Sequence, residues 1–200
     1  MRSLAKAASM LGLPAISYST AIKATDKHEM IKAFKEHNVA SPWFYNISCK
    51  KDLTLLKENI SYPCIMKPTD NAGSRGVVLV NNFDELLNAY DYSHKQSRSG
   101  NVIIEEYLQG DEVSVEVIVI NGDVHVLAIT DKLTTGAPHF VEMGHNQPSR
   151  HPLHIQNAIK KLATEAVKSV GIHTGPAHVE MMVTERGPIM IELGARMGGD

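Results

Sequence analysis

The chain has 200 residues, enough for one large domain or two small lobes, and its 43% hydrophobic and 21% charged content is that of an ordinary globular protein. A net charge of −2 provides no basic excess for nucleic acid or an anionic membrane surface, and no apolar run approaches the roughly 20 residues of a membrane-spanning helix. The two cysteines, Cys49 and Cys64, make neither a CxxC motif nor a disulfide framework, which fits a reducing, cytoplasmic setting.

Residues 1–25 contain no acid and carry Arg2, Lys6 and Lys23, a composition shared with transit peptides, but Lys6 breaks the apolar stretch. A short helix and a turn are expected there. Asp26 followed by Glu29 resembles a capping box, Met30, Ile31 and Phe34 share one helical face, and Asn38 suits the helix exit. Residues 41–46 read as a short extended piece, 52–59 as helix and 62–67 as a compact strand between Pro63 and Pro68. After the loop 69–76 come a strand at 77–80 and a helix at 84–95 with Leu86, Leu87 and Tyr90 inward. Strands follow at 102–108, 113–120 and 124–129, the last two joined by Asn121-Gly122, a type I′ hairpin signal. Residues 132–150 read as an irregular functional loop. The clearest helix is 154–170, apolar at Ile155, Ala158, Ile159, Leu162, Ala166 and Val170, with Gly171 as its stop.

Two apolar runs, 176–184 and 188–195, flank Glu185-Arg186-Gly187 and read as a hairpin. With a three-residue loop, Thr184 faces Pro188 and Glu180 falls opposite Glu192. Like charges so placed repel, and partial burial on such apolar strands costs several kcal/mol more. A divalent cation such as Mg²⁺ (or Mn²⁺) reverses that penalty, because hard cations take carboxylate oxygens and usually carry substrate phosphates as well. The competing reading is a solvated edge hairpin.

Lys67 closes an apolar strand and either reaches solvent or faces an anion. Gly73 and Gly76 let the following loop bend close to a ligand, its N–H groups can form an anion nest, and Ser74 and Arg75 add donors. Together they describe a phosphate clamp; the loop alone is also an ordinary hairpin turn. It matches neither GxxxxGK[ST] nor GxGxxG. Residues 105–112, Glu-Glu-Tyr-Leu-Gln-Gly-Asp-Glu, are either a charged connector or a hinge meeting a base and ribose hydroxyls; spacing does not choose. Arg196, four residues after Glu192, can hold phosphate oxygens bidentately or form a structural ion pair with Glu192 or Glu180. His139, His145, His151 and His154 crowd one segment without a zinc pattern, and no GxSxG is present.

In order, Thr25-Asp26-Lys27, Pro63-Cys64-Ile65-Met66-Lys67-Pro68, Gly73-Ser74-Arg75-Gly76-Val77, Ile104-Glu105-Glu106-Tyr107-Leu108 with Gly110-Asp111-Glu112-Val113-Ser114-Val115, His178-Val179-Glu180 and Ile191-Glu192-Leu193-Gly194-Ala195-Arg196 resemble the ATP-grasp superfamily. The resemblance implies an α+β fold of two lobes with a nucleotide between them: an N-terminal helical segment (1–40), a lid lobe (41–106) and a larger lobe with the metal-binding hairpin (107–200). It implies that Lys27 and Lys67 contact ATP phosphates, that Gly73–Gly76 form a lid, and that the main chain of Glu106, Tyr107 and Leu108 meets adenine, with Glu105 nearby and Glu112 on ribose. Glu180 and Glu192 would ligate Mg²⁺, and Arg196, with Lys67, would stabilise the transferring phosphoryl group. Gly194 stands where the family often has an Asn metal ligand, which loosens the expected hold on a second metal ion.

The implied reaction is ligation: a carboxylate attacks the γ-phosphate, and an amine displaces phosphate from the acyl phosphate. Segment 132–150 resembles stretches of ATP-grasp amino-acid ligases and carbamoyl-phosphate-synthase-like proteins, so His139, Glu142 and His145 are expected to meet the acceptor. The partners implied are ATP and a small carboxylate and amine, amino acids among them, with no nucleic acid and no membrane; a homodimer stays open. The alternatives are a bicarbonate-using carboxylase or carbamoyl-phosphate-synthase-like enzyme, and a non-catalytic ATP-binding module. The stop at Gly198-Gly199-Asp200, directly after the last motif, leads us to expect a fragment of a longer protein.

Overall fold

The computed structural model describes residues 1–199; Asp200, the end of the expected larger lobe, lies outside the described residues. The chain divides into two compact units, one of residues 1–41, 109–133 and 143–200, the other of residues 42–108 and 134–142. The segment 1–40 groups with the larger unit because Ala5, Met30, Ile31, Ala33 and Phe34 bury their side chains there.

The smaller unit holds a four-stranded antiparallel sheet in the order β1-β4-β2-β3, made of β1 (Phe44–Ile47), β2 (Cys64–Pro68), β3 (Val78–Val80) and β4 (Val102–Glu106). Helices α4 (Lys50–Leu56) and α5 (Phe83–Gln96) cover it. Helix α5 starts where the Asn82 side chain accepts from Glu85 N–H, and its Leu86, Ala89 and Tyr90 join Cys64, Met66, Ile104 and Val102 in one core. Strand β4 ends at Glu106, two residues earlier than the sequence suggests, leaving Tyr107 and Leu108 outside the ladder.

The larger unit begins with two helices where one was expected, α1 (Arg2–Met10) and α2 (Tyr18–Lys23), the second capped by Ser17. Helix α3 (Lys27–Glu36) is capped by Asp26, whose carboxylate accepts from the N–H groups of His28 and Glu29; Asn38 then takes a φ of 57° at the exit. The sheet runs β7-β6-β5-β8-β9, from β5 (Asp111–Ile120), β6 (Asp123–Thr134), β7 (Glu142–Asn146), β8 (Gly175–Thr184) and β9 (Gly187–Gly194). Asn121 and Gly122 turn β5 into β6 with φ of 53° and 90°, as a type I′ turn requires. Segment 132–150, expected to be irregular, instead contains the end of β6 and all of β7. The run Val113, Val115, Val117, Val119 faces inward, and helix α6 (Leu153–Val170) packs across β5, β8 and β9 with Ile159, Leu162, Ala166 and Val170 buried. Gly171 ends it in the left-handed conformation, φ 84°.

The β8–β9 hairpin differs from its expected register. Thr184 pairs with Gly187 and Val183 with Pro188, so the loop is the two residues Glu185 and Arg186. A β-bulge between Glu180 and Met181 then takes up one residue on β9 and restores the Glu180–Glu192 pairing. The core explains the bulge. Met190 and Leu193 are both fully buried though an odd number of residues apart, which a regular alternating strand forbids. Strand β9 is an edge, and two of its N–H groups are nonetheless satisfied, Met190 by the Ala40 carbonyl at 3.0 Å and Leu193 by the Met30 sulfur at 3.2 Å.

Candidate active site

In the larger unit, strand alternation sends the valines of β5 inward and leaves Glu112, Ser114 and Glu116 on the other face. Pairing sets Ser114 against Glu180, Glu116 against His178, and Glu180 against Glu192, so these side chains share one polar face. Repulsion between the paired glutamates is offset by two lysines. Lys27 Nζ lies 2.9 Å from Glu192, and Lys132 Nζ lies 3.2 Å from Glu180 and 2.7 Å from Glu112. Lys27 opens α3, where a cation opposes the helix dipole by a few tenths of a kcal/mol or more; the ion pair with Glu192 offsets that cost.

His178 bridges two carboxylates. Nδ1 contacts Glu116, and Nε2 contacts Glu180 at 3.3 Å. Both partners only accept, so both ring nitrogens must donate, which is the protonated imidazolium. The Glu180 hydrogen bond and the Glu116 contact raise its pKa above 6.5 against the opposing effect of burial. Burial would raise the Glu180 carboxyl, but the His178 hydrogen bond and the Lys132 charge outweigh it and bring the pKa from 4.5 to about 2.

Glu180 and Glu192 suit a hard divalent cation by donor type. Among the described residues no group of three or more His, Cys, Asp or Glu is placed to hold a metal ion by itself. That donor set fits Mg²⁺, which dehydrates reluctantly and typically takes one or two carboxylates with waters and substrate phosphates. Arg196 donates to the Met197 carbonyl at 2.7 Å and, among the described residues, pairs with neither Glu180 nor Glu192. The structural ion pair considered for it is therefore not formed.

In the smaller unit Lys67 neither reaches solvent nor stands free. It forms a buried ion pair with Glu105, on the same sheet face because Glu105 sits opposite Ile65. The second Glu105 oxygen is buried with no protein partner. The loop after β2 is tied down by Asp70, whose carboxylate accepts from Ser97 Oγ at 3.0 Å and from the N–H groups of Arg98 and Ser99. Gly73, Ser74 and Gly76 all have positive φ, at 65°, 54° and 81°. At Gly76 a Cβ would come within 2.7 Å of Pro68 Cγ, so glycine is required there. Arg75 donates to the Ala72 carbonyl at 3.2 Å and Ser74 to the Phe140 carbonyl at 3.4 Å. His139, Glu142 and His145 are exposed, the first in the 134–142 segment and the other two on β7.

Residues 60–200 match the family described as the ATP-grasp domain. The chain belongs to the ATP-grasp family. An alanine–anticapsin ligase from Bacillus subtilis (strain 168) is 30% identical over 98% of this chain and 46% of its own length. A D-alanine–D-alanine ligase from Flavobacterium johnsoniae is 25% identical over 94% of this chain and 61% of its own. The crystal structure of an L-amino acid ligase from Bacillus licheniformis superposes with a TM-score of 0.87 at 32% identity, covering 100% of this chain and 47% of that one. The chain thus spans less than half the length of the first and third of these.

Within this ATP-grasp chain, sequence reading missed Glu116 and Lys132 and gave no role to His178, although it stands in the His178-Val179-Glu180 motif. The signal lay in parity: Glu112, Ser114 and Glu116 alternate with valines, as His178 and Glu180 alternate with Ala177 and Val179. Lys132 stood inside the supposed loop and so carried no parity to read.

Proposed function

We propose that this ATP-grasp protein is an ATP-dependent ligase that activates a carboxylate as an acyl phosphate and joins it to an amine, with amino acids as substrates. One observation carries the reading: Glu180 and Glu192 are held opposite each other on a polar sheet face, each countered by a lysine. A sheet gains nothing from opposed carboxylates; a metal–triphosphate site does. The relatives, which are named as amino-acid ligases, support the same chemistry.

In this reading Glu180 and Glu192 would hold Mg²⁺, which would neutralise charge on the phosphate oxygens. Lys27 and Lys67 would exchange their glutamate partners for phosphate oxygens. The N–H groups of Gly73, Ser74, Arg75 and Gly76 would bind phosphate and exclude water from the acyl phosphate. Main-chain groups of Glu106, Tyr107 and Leu108 would take the adenine, beside Glu105, and Glu112 the ribose hydroxyls. Arg196 would stabilise the phosphoryl group as it passes to the substrate carboxylate. His139, Glu142 and His145 would meet the acceptor.

The test measures ADP release across a panel of L-amino acid pairs, alongside the thermal midpoint with and without Mg·ATP. A ligand at about 100 times its Kd stabilises the fold by about 2.7 kcal/mol. Glu192→Gln should remove most of that gain, read against the variant's own unliganded midpoint because the change also takes the charged partner from Lys27. An unmoved midpoint in the parent, or equal ADP release from Glu192→Gln, would refute the proposal.

A further inference from the structure

Among the described residues, the turn that follows Arg196 is tied to the polar face through Gly198. The Gly198 N–H donates to Glu116 Oε2 at 3.2 Å, and the other oxygen of Glu116 accepts from His178, whose Nε2 meets Glu180 at 3.3 Å. The same closeness shows in the space around Gly198. A Cβ on Gly198 would come within 2.7 Å of Glu116 Oε1 and 3.0 Å of His178 Nδ1, although the backbone of Gly198 is not in the left-handed region. A Cβ there would displace the ends of the Glu116 and His178 side chains, through crowding and not through backbone conformation. Gly194, paired with His178 across the hairpin, likewise leaves room for Arg196, whose Cγ would stand 3.3 Å from a Cβ at that position.

We infer that Glu116 and His178 are positioning residues that latch the turn after Arg196 to the Glu180 carboxylate, so that arginine and metal ligand keep one spacing. Neither is assigned a contact with substrate in the proposed reaction. His178 orients one Glu180 oxygen, and Glu116 fixes the backbone two residues beyond Arg196. Mutating a partner that orients a metal ligand typically costs about 10–100-fold in metal affinity. The inference rests on the proposed roles of Glu180 and Arg196, but the latch itself is a feature of the unliganded chain.

Two measurements on the full chain separate the two ideas. The first is the Gly198 amide in the ¹H–¹⁵N spectrum without ligand. A carboxylate acceptor should place its proton downfield and slow its exchange, and Glu116→Ala, which removes both oxygens, should reverse both. An amide unmoved by Glu116→Ala overturns the latch whatever the chain binds. The second is Mn²⁺ affinity with a non-hydrolysable ATP analogue, followed by the Mn²⁺ electron paramagnetic resonance signal. Roughly tenfold weaker binding is expected for His178→Gln and for Gly198→Ala. The double variant should be no weaker than either single one, because both break the same connection. Gly199→Ala, whose Cβ meets nothing within 4 Å, should bind as the parent does. Parental affinity in both latch variants, additive losses, or an equal loss in Gly199→Ala would overturn the latch. A parent that binds no Mn²⁺–nucleotide overturns the ligase reading instead, and the Gly198 amide then decides the latch alone. Should Gly198→Ala fail to fold, His178→Gln and Glu116→Ala carry the comparison.

Discussion

Replacing Lys132 with methionine should lower stability and strengthen divalent-cation binding at the same time. The lysine side chain is 8% exposed and lies 2.7 Å from Glu112 and 3.2 Å from Glu180. At an effective dielectric constant of about 20, Coulomb's law gives about 6 and about 5 kcal/mol for those contacts. Desolvation of the three ions and partial solvent access of both carboxylates cancel most of that, leaving a net loss of about 2–3 kcal/mol on removing the cation. For a chain of this size the thermal midpoint should fall by about 4–12 °C. The same change removes a positive charge beside Glu180, so Mg²⁺ alone, at matched ionic strength and without nucleotide, should recover several degrees in Lys132→Met and almost none in the parent. Scanning calorimetry with magnesium against sodium chloride reads both effects. Equal midpoints in the two proteins, or equal magnesium responses, would show that Lys132 does not serve as the counter-ion of the acid pair.

Three further outcomes are expected. In metal-free buffer Glu180, lowered from 4.5 to about 2, contributes about 3 kcal/mol that is fully present above pH 4.5 and lost as pH falls toward 2. His178, raised above 6.5, contributes stability that is complete below pH 6.5 and lost as pH rises through its folded value. The midpoint should therefore plateau between roughly pH 4.5 and 6.5, and Glu180→Gln should flatten the acid limb; an unchanged acid limb argues against the assignment. Lys67→Ala should cost about 3–5 kcal/mol in urea unfolding, because it strands Glu105 as a buried charge, whereas Lys67→Met with Glu105→Leu should recover most of it. A double variant as unstable as the single one would count against a buried pair. Gly76→Ala should destabilise well beyond the roughly 1–2 kcal/mol expected of a positive-φ substitution at Gly73, whose Cβ would meet open space; equal costs would contradict the close approach of Pro68.

Local signals were legible in the sequence, and long-range ones largely were not. Asp26 as a helix cap, Asn121-Gly122 as a turn and Gly171 as a stop all act within four residues of chain, where composition and geometry are tightly linked. The opposition of Glu180 and Glu192 was reached through the wrong loop, since the three-residue turn and the two-residue turn with a bulge put those residues in the same register. Only the core side of the strand distinguishes the two, through Met190 and Leu193. Strand β7 was unreadable because Glu142-Met143-Gly144-His145-Asn146 has neither an apolar alternation nor β-branched residues; its neighbour β6 makes it a strand. The partners of Lys132 and His178 lie as far as 48 and 62 residues away in sequence, beyond any spacing rule.

The bulge on β9 means that two apolar side chains decide where a carboxylate stands. Met190 and Leu193 never approach a cation, yet their shared preference for the interior is what turns Glu192 toward Glu180. Selection for altered magnesium dependence should accordingly return changes at these two apolar positions as readily as at the acids themselves.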